Sequence, residues 1–281
     1  MLKYDRIEDT NDERMIPYFS LNESQLYHYY EPSPGLFIAE SAKVIDRALN
    51  AGYEPVSFLV ELEIIESRDK SASDAEICEI LNNCQNVPIY AMTRDIMCHM
   101  TGYAVTRGLL ACFRRKELPT LEESCRNSKR VVVLESIDNP TNVGAIFRSA
   151  AAMSVDAVIL TDDSSDPLYR RAARVSMGCA FLIPYTCVEM DSEVHYIDRL
   201  HSLGYKVAAM ALSDNAISVA DSKLKECEKL AILMGSEGDG LSAESINKAD
   251  YIVKISMAEG VDSLNVSAAA AISFWEMVQK N

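Results

Sequence analysis

Between Arg130 and Met257 the chain alternates short apolar runs with helical stretches, and this alternation limits the possible folds more than any other feature. Strands are expected at RVVVLES (130–136), DAVILTD (156–162), KVAAMAL (206–212), LAILMGS (230–236) and YIVKISM (251–257). Helical stretches lie at 141–153, 167–176, 192–203, 242–249 and 266–279. Strands that are apolar throughout are buried on both faces, and the intervening helices supply the cover. The pattern predicts an α/β domain with a parallel sheet, and ligands in such a domain bind at the carboxyl ends of the strands.

The first part of the chain is organised differently. Residues 1–30 show no sustained period and end in Tyr27, Tyr29 and Tyr30, followed by the turn residues EPSPG (31–35). ESAKVIDRALNAG reads as a helix, with apolar Ala42, Val44, Ile45, Ala48 and Leu49 and a stop at Gly52. PVSFLVEL (55–62) reads as a strand, and SDAEICEILNNC as a helix capped by Ser73 or Asp74. VPIYAM, TRDIMCHMTG and LLACFRR (109–115) read as strand, capped helix and strand. This is enough for a small α/β domain of its own. The polar stretch LPTLEESCRNS (118–128) is the expected linker, so the expected domains are 1–120 and 128–281.

Composition narrows the functional classes. Of 281 residues, 48% are hydrophobic and 25% charged, an ordinary globular balance. No apolar run approaches the roughly 20 residues that span a bilayer. The first residues, MLKYDRIEDTNDERM, contain no apolar signal core. The expectation is a cytoplasmic protein with no membrane contact. Cys78, Cys84, Cys98, Cys112, Cys125, Cys179, Cys187 and Cys227 form no C-x-x-C pair, so reduced thiols and no metal are expected. The net charge is −15. Up to Asn127 there are 13 Lys+Arg against 21 Asp+Glu, and beyond it 14 against 21. Any surface for nucleic acid must therefore be a local patch. The basic clusters are Arg107, Arg114, Arg115 and Lys116, and then Arg170, Arg171 and Arg174.

Three segments carry residues suited to chemistry. In LESIDNPTNVGAIFRSAAAMSV (134–155) a strand turns into a helix at Thr141 or Asn142. Gly144 allows close backbone approach, and Arg148 shares its helical face. A plain strand–turn–helix unit with a surface arginine fits the same residues. In ILMGSEGDGLS (232–242) Gly235, Gly238 and Gly240 follow an apolar strand. Their spacing is neither the dinucleotide fingerprint nor a phosphate loop. Glu237 would repel a phosphate but suits an arginine or a hydroxyl. A glycine-rich turn capped by Ser242 is the simpler alternative. In KISMAEGVDSLNVSAAAAISFWE (254–276) a polar loop with Ser263 and Asn265 leads into a helix with little side-chain bulk over Ser267–Ala271. Tight packing of a last helix accounts for that pattern equally well.

Taken in order, N-x-G-A-x-x-R after a strand, then MGSEGDGLS, then SLNVSAAAA, the chain resembles the SpoU/TrmH family of RNA ribose 2′-O-methyltransferases, of the SPOUT class. The resemblance spans about residues 130 to 280, and RRAARVSMGCAFLIPY (170–185) resembles the segment between the family's first two motifs. It implies a parallel α/β sheet with a deep trefoil knot, a homodimer with the active site at the subunit interface, and S-adenosylmethionine as cofactor. Met234, Gly235, Gly240, Ile255, Met257, Ser263 and Leu264 would bind the cofactor. Arg148, Asn142, Glu237, Ser263 and Asn265 would form the catalytic set, with Glu237 orienting Arg148. Where the family commonly has Ile-Pro-Met, this chain has Ile255-Ser256-Met257, which restores a backbone N–H that proline lacks. FIAESAKVIDRAL with PVSFLV, and TGYAVTRGLLACFRR, resemble the small ribosomal-protein-like α/β domain that many members carry in front, a domain that usually binds RNA. Such a domain points to ribosomal RNA more than to transfer RNA. The basic clusters would meet phosphates. The alternative is a non-catalytic RNA-binding protein of the same fold. A third reading is an α/β enzyme using another adenine cofactor.

Overall fold

A computed structural model describes residues 2–9, 11–101, 108–260 and 263–278 of the chain. The chain divides into two compact units, Met1–Glu117 with Leu168–Phe181, and Leu118–Pro167 with Leu182–Asn281.

The first unit contains strands β1 (Asp5–Arg6), β2 (Leu36–Glu40), β3 (Pro55–Glu61), β4 (Ile89–Met92) and β5 (Leu109–Arg114). They form one mixed sheet in the order β1-β4-β3-β5-β2, with β5 antiparallel to both β2 and β3. Phe37 and Phe113 face each other across β2 and β5 and stack at 5.3 Å, fully buried. Strand β2, LFIAE, is absent from the sequence-based expectation. It runs into helix Ala42–Asn50 through Ser41 at φ 85°, without the glycine or proline that usually marks such a turn. Helix Ala72–Asn83 is capped by Ser71, not by Ser73 or Asp74. Asp74 is the third helical residue, and its carboxylate accepts the Ser71 N–H while the Ser71 hydroxyl accepts the Asp74 N–H.

Leu168–Phe181 departs from the expected domain at 128–281. Its helix Arg170–Val175 packs on β2, and Arg47 Nη1 donates to the Met177 carbonyl at 2.8 Å. The Phe181 ring meets Phe37 and Tyr53 at 5.8 and 5.3 Å. Burial of this aromatic contact is a tertiary event that no local pattern announces.

The second unit holds β6 (Arg130–Leu134), β7 (Ala157–Thr161), β8 (Tyr185–Val188), β9 (Lys206–Met210), β10 (Ile217–Ser218), β11 (Leu230–Met234) and β12 (Tyr251–Lys254). Every pairing in this sheet is parallel, in the order β10-β12-β9-β11-β6-β7-β8. Strands β6, β7 and β11 are buried along their whole length, which is why they read as unbroken apolar runs. The two strands the sequence did not suggest, β8 and β10, are the edges. Helix Tyr196–Ser202 buries Tyr196, Ile197 and Leu200 in a core with Val131, Val133, Ile159, Val207 and Leu233. Helix Val266–Met277 packs on helix Pro140–Ala152 and on β11. The chain builds outward from β6 through β7 to β8, then crosses to β9 and fills the gap with β11. The order therefore switches between β6 and β11, where a ligand crevice is expected.

At the amino end of β6 the buried Arg130 guanidinium bridges three segments. Nε donates to the Met277 carbonyl (3.1 Å), Nη1 to those of Lys129 (3.2 Å) and Glu228 (3.1 Å), and Nη2 to those of Lys225 (3.2 Å) and Cys227 (2.8 Å). This ties the end of the last helix to the start of the central strand, far along β6 from its carboxyl end. Among the described residues no helix is long and apolar enough to cross a membrane.

Candidate active site

The carboxyl ends of β9, β11 and β12 open onto a cavity of about 850 Å³. Met210, Ala211 and Leu212 line it from the end of β9, Met234 to Leu241 from the loop after β11, and Val253, Lys254, Ile255 and Met257 from β12 and beyond. Ser263, Leu264, Asn265, Val266 and Ala269, with Ile246, complete the wall. All seven residues expected to bind the cofactor, Met234, Gly235, Gly240, Ile255, Met257, Ser263 and Leu264, are on this wall. The contribution of β9 was not foreseen, because its strand end carries no polar signature.

The loop after β11 closes on itself. The Ser236 N–H donates to the Gly240 carbonyl at 3.2 Å. A Cβ at Gly235 would lie 2.3 Å from the Gly240 carbonyl carbon and 2.4 Å from the Leu241 nitrogen. Both are backbone atoms that cannot swing away, so only glycine fits. Gly240 has φ +72°, a conformation open to glycine at no steric cost. A Cβ at Gly238 would meet nothing within 4 Å. Ser242 then caps helix Ala243–Lys248.

The three motif segments meet beside the cavity, with Glu237 and Asn265 on its wall and Asn142 bonded to both. Asn142 Nδ2 donates to Glu237 Oε1 at 3.0 Å, and Asn265 Nδ2 donates to Asn142 Oδ1 at 3.1 Å and also to Glu237 Oε1. Asn265 Oδ1 accepts the Ser267 N–H at 3.0 Å and so caps helix Val266–Met277. Asn142 is buried in the first turn of helix Pro140–Ala152, whose cap is Asn139 rather than a later residue. Ser263 sits exposed on the rim with no hydrogen bond among the described residues.

Within one chain Arg148 stands apart from these polar groups. It is exposed, does not line the cavity, and makes no hydrogen bond or ion pair among the described residues. Within one chain Glu237 does not meet it, and one Glu237 oxygen is taken by the two asparagines. The geometric reason is helical: Arg148 follows Asn142 by six residues, which places it well round the helix from the rim.

The basic clusters fall in the first unit. Arg114 stacks over Tyr30 at 4.9 Å, Arg115 over Tyr27 at 4.6 Å, and Lys116 Nζ lies 4.6 Å from the Tyr53 ring. Arg115 Nε also donates to the Leu36 carbonyl (3.0 Å) and Lys116 Nζ to that of Ala51 (2.7 Å). Arg170 donates from Nη2 to the Tyr18 carbonyl (2.9 Å), and Arg174 Nη1 lies 3.6 Å from the buried Glu40. These groups hold their own unit together, and of the second cluster only Arg171 is exposed without a partner among the described residues. Arg107 lies outside the described residues.

Sequence reasoning passed over Glu135, which is 1% exposed at the carboxyl end of β6. Its Oε1 accepts the Ser242 N–H at 2.7 Å; its Oε2 accepts the Ser245 hydroxyl at 2.6 Å and the Tyr196 hydroxyl. Burial first, then the Glu135 charge, pushes the Tyr196 phenol well above its ordinary value, which keeps it a donor. Lying next to a turn, Glu135 has nothing in its local sequence to set it apart from a solvated acid.

A parallel α/β sheet with a cavity at the carboxyl ends of β9, β11 and β12, one strand away from the switch between β6 and β11, walled by a glycine loop and edged by polar groups, is the architecture of a small-molecule-binding domain. The model of the SpoU rRNA Methylase family matches residues 129–275, and the chain belongs to that family, so it is a methyltransferase of the SpoU/TrmH type. It is 34% identical to an uncharacterized tRNA/rRNA methyltransferase of Mycobacterium bovis, over 95% of this chain and 89% of the relative. It is 30% identical to a 23S rRNA guanosine 2′-O-methyltransferase, RlmP of Bacillus subtilis, over 86% and 88% of the two chains. The crystal structure of an RNA 2′-O ribose methyltransferase superposes with TM-score 0.76 at 25% identity, covering 97% of both chains. An AdoMet-bound rRNA methyltransferase from Sinorhizobium meliloti shares the fold, with TM-score 0.77 at 19% identity over 98% of this chain and 97% of that one.

Proposed function

We propose that this protein transfers a methyl group from S-adenosylmethionine to a ribose 2′-hydroxyl of RNA, ribosomal rather than transfer RNA. The observation that carries the reading is the convergence of three separate segments beside one cavity: Glu237 and Asn265 line it, and Asn142 is hydrogen-bonded to both. Relatives that act on 23S rRNA as 2′-O-methyltransferases, from Bacillus subtilis and Vibrio vulnificus, support the choice of hydroxyl and of RNA.

The cavity suits the cofactor. Its volume is within the range of ordinary cofactor pockets, roughly 300–1,000 Å³. Apolar Met234, Ile255, Met257 and Leu264 suit an adenine ring, and the Gly235–Gly240 loop leaves backbone groups open to its edge. The cofactor supplies an electrophilic methyl group; the chain binds, orients and excludes water. A guanidinium almost never deprotonates in proteins, so Arg148 acts as a donor that orients the 2′-oxygen or its phosphate and stabilises developing negative charge. Asn142, Glu237, Ser263 and Asn265 form the polar surface that receives the ribose.

The reading includes a homodimer. Arg148 is exposed away from its own chain's cavity, and on the neighbouring helix Ile272 and Trp275 are 36% and 57% exposed. A second copy laid on this surface would bring Arg148 to a rim. The reading also includes the family's deep trefoil knot, which agrees with the hydrogen bond from Asn265, after β12, to Glu237 in the 235–242 loop. The first unit is assigned to RNA recognition as the family's ribosomal-protein-like domain.

Calorimetry with S-adenosylmethionine followed by tritium transfer to total RNA tests the reading, and methylation mapping in a strain lacking the protein names the nucleotide. Cofactor binding with no transfer to any RNA would favour the non-catalytic RNA-binding alternative.

A further inference from the structure

Glu135 is a fully buried acid that none of the roles above uses. Its position follows from sheet register. Leu134 pairs with Met234 across β6 and β11, and the Glu135 N–H donates to the Met234 carbonyl at 2.9 Å. The residue after β6 therefore begins level with the first residue of the glycine loop. Its side chain then reaches to the loop's far end, where Oε1 takes the Ser242 N–H. Thus one residue spans the loop's entry and exit. Seven residues further along the same segment, Asn142 holds the loop's other side through Glu237.

We propose that Glu135 is a positioning residue for cofactor binding: it sets the conformation of the 235–242 loop through Ser242, Ser245 and Tyr196, and touches neither cofactor nor RNA. The inference rests on the reading of the cavity as the cofactor site. Three donors converge on the carboxylate, and hydrogen bonds to a charged acceptor are roughly twice as strong as neutral ones. The Gly235 backbone lies too close to Gly240 for even a methyl group to enter, so the loop's shape leaves little slack. A small shift at Ser242 is therefore transmitted to the cavity wall, not absorbed. The network also couples the loop to helix Tyr196–Ser202, which shares a core with Leu241, since the Tyr196 hydroxyl lies 3.0 Å from Ser245 Oγ as well.

Glu135→Gln keeps the shape but places an amide NH₂ where two hydroxyls donate, so Tyr196 and Ser245 must both turn. Calorimetric titration of S-adenosylmethionine into the full chain and into Glu135→Gln, with melting curves and amide hydrogen exchange alongside, tests the role. The expected result is cofactor affinity about tenfold weaker. With it should come faster exchange of the 236–242 amides without cofactor, and kcat at saturating cofactor within about threefold. No binding by the unaltered chain overturns the cofactor reading and this inference together. Normal binding by the unaltered chain and equal binding by folded Glu135→Gln overturns the inference alone, as does a lower Tm with unchanged affinity. Should Glu135→Gln not fold, Tyr196→Phe and Ser245→Ala each remove one donor and leave the carboxylate. Each is expected to weaken cofactor binding about threefold, and unchanged affinity in both overturns the proposal.

Discussion

Gly235→Ala puts the glycine loop to the sharpest test. The added methyl group would sit 2.3 Å from the Gly240 carbonyl carbon, 2.4 Å from the Leu241 nitrogen and 2.5 Å from the Gly240 oxygen. All three atoms belong to backbone, so relief requires the loop to open and the Ser236–Gly240 hydrogen bond to stretch. Overpacking of this kind typically costs about 1–3 kcal/mol. The strands beneath are fully buried and hold their register, so the cost falls on the loop and appears as lost cofactor affinity. At 1.4 kcal/mol per decade this is roughly 5- to 150-fold in Kd. The assay is calorimetric titration with S-adenosylmethionine, with Gly238→Ala as the companion variant. Gly238 has open space at its Cβ position, and its variant is expected to bind within about threefold of the unaltered chain. Gly235→Ala binding as tightly as Gly238→Ala would refute the steric argument.

Further outcomes follow from other parts of the molecule. Arg130→Met leaves the carbonyls of Lys129, Lys225, Cys227, Glu228 and Met277 without their donor. It is expected to cost about 3–5 kcal/mol in urea unfolding, and a shift under 1 kcal/mol would show that water replaces the guanidinium there. Arg148→Lys is expected to lower turnover well over tenfold while cofactor affinity holds, since an ammonium cannot present the bidentate fork; near-normal turnover would remove that role. Burial raises the Asp250 carboxyl, but hydrogen bonds from Lys206 Nζ (2.7 Å), the Val207 N–H (2.9 Å) and His201 Nε2 (3.0 Å) outweigh it and hold the group below its ordinary value. A folded-state value below the unfolded one stabilises the protein above roughly pH 4 and loses that contribution as pH falls through the folded value. Asp250→Asn should therefore melt below the unaltered chain at pH 7, with the gap narrowing below about pH 4; a gap independent of pH would contradict the ionic origin. Burial pushes the Cys112 thiol up to about 12, so it should resist alkylation at pH 8 in the folded chain, and rapid labelling would show local opening.

Much of the site could be anticipated, and what escaped did so for definite reasons. Of the five inner strands of the second unit, β6, β7 and β11 were legible because burial on both faces forces continuous apolar runs, and β9 and β12 because their sequences are largely apolar although less fully buried. Edge strands β8 and β10 were not, since they are short and one neighbour is missing. Gly235 and Gly240 belong to a visible glycine cluster, and glycine is required at the first by close backbone approach and favoured at the second by its positive φ. Glu135 did not, because an acid beside a turn carries the same local signature whether it is solvated or bound by three donors. Likewise the pattern R-R-x-x-R at 170–174 reads as a cationic surface, whereas two of its arginines serve the first unit's own carbonyl and carboxylate groups.

By itself the sequence determined which segments lie inside and where the backbone must be glycine, because burial and steric limits act locally and leave a periodic trace. It also carried three motifs whose order is specific to a family. The tertiary structure alone decided which groups meet: Asn142 with Glu237 and Asn265, Glu135 with Ser242, Leu168–Phe181 with the first sheet. Those pairings depend on strand order, and parallel strands far apart in the chain become neighbours only when the whole sheet closes its core.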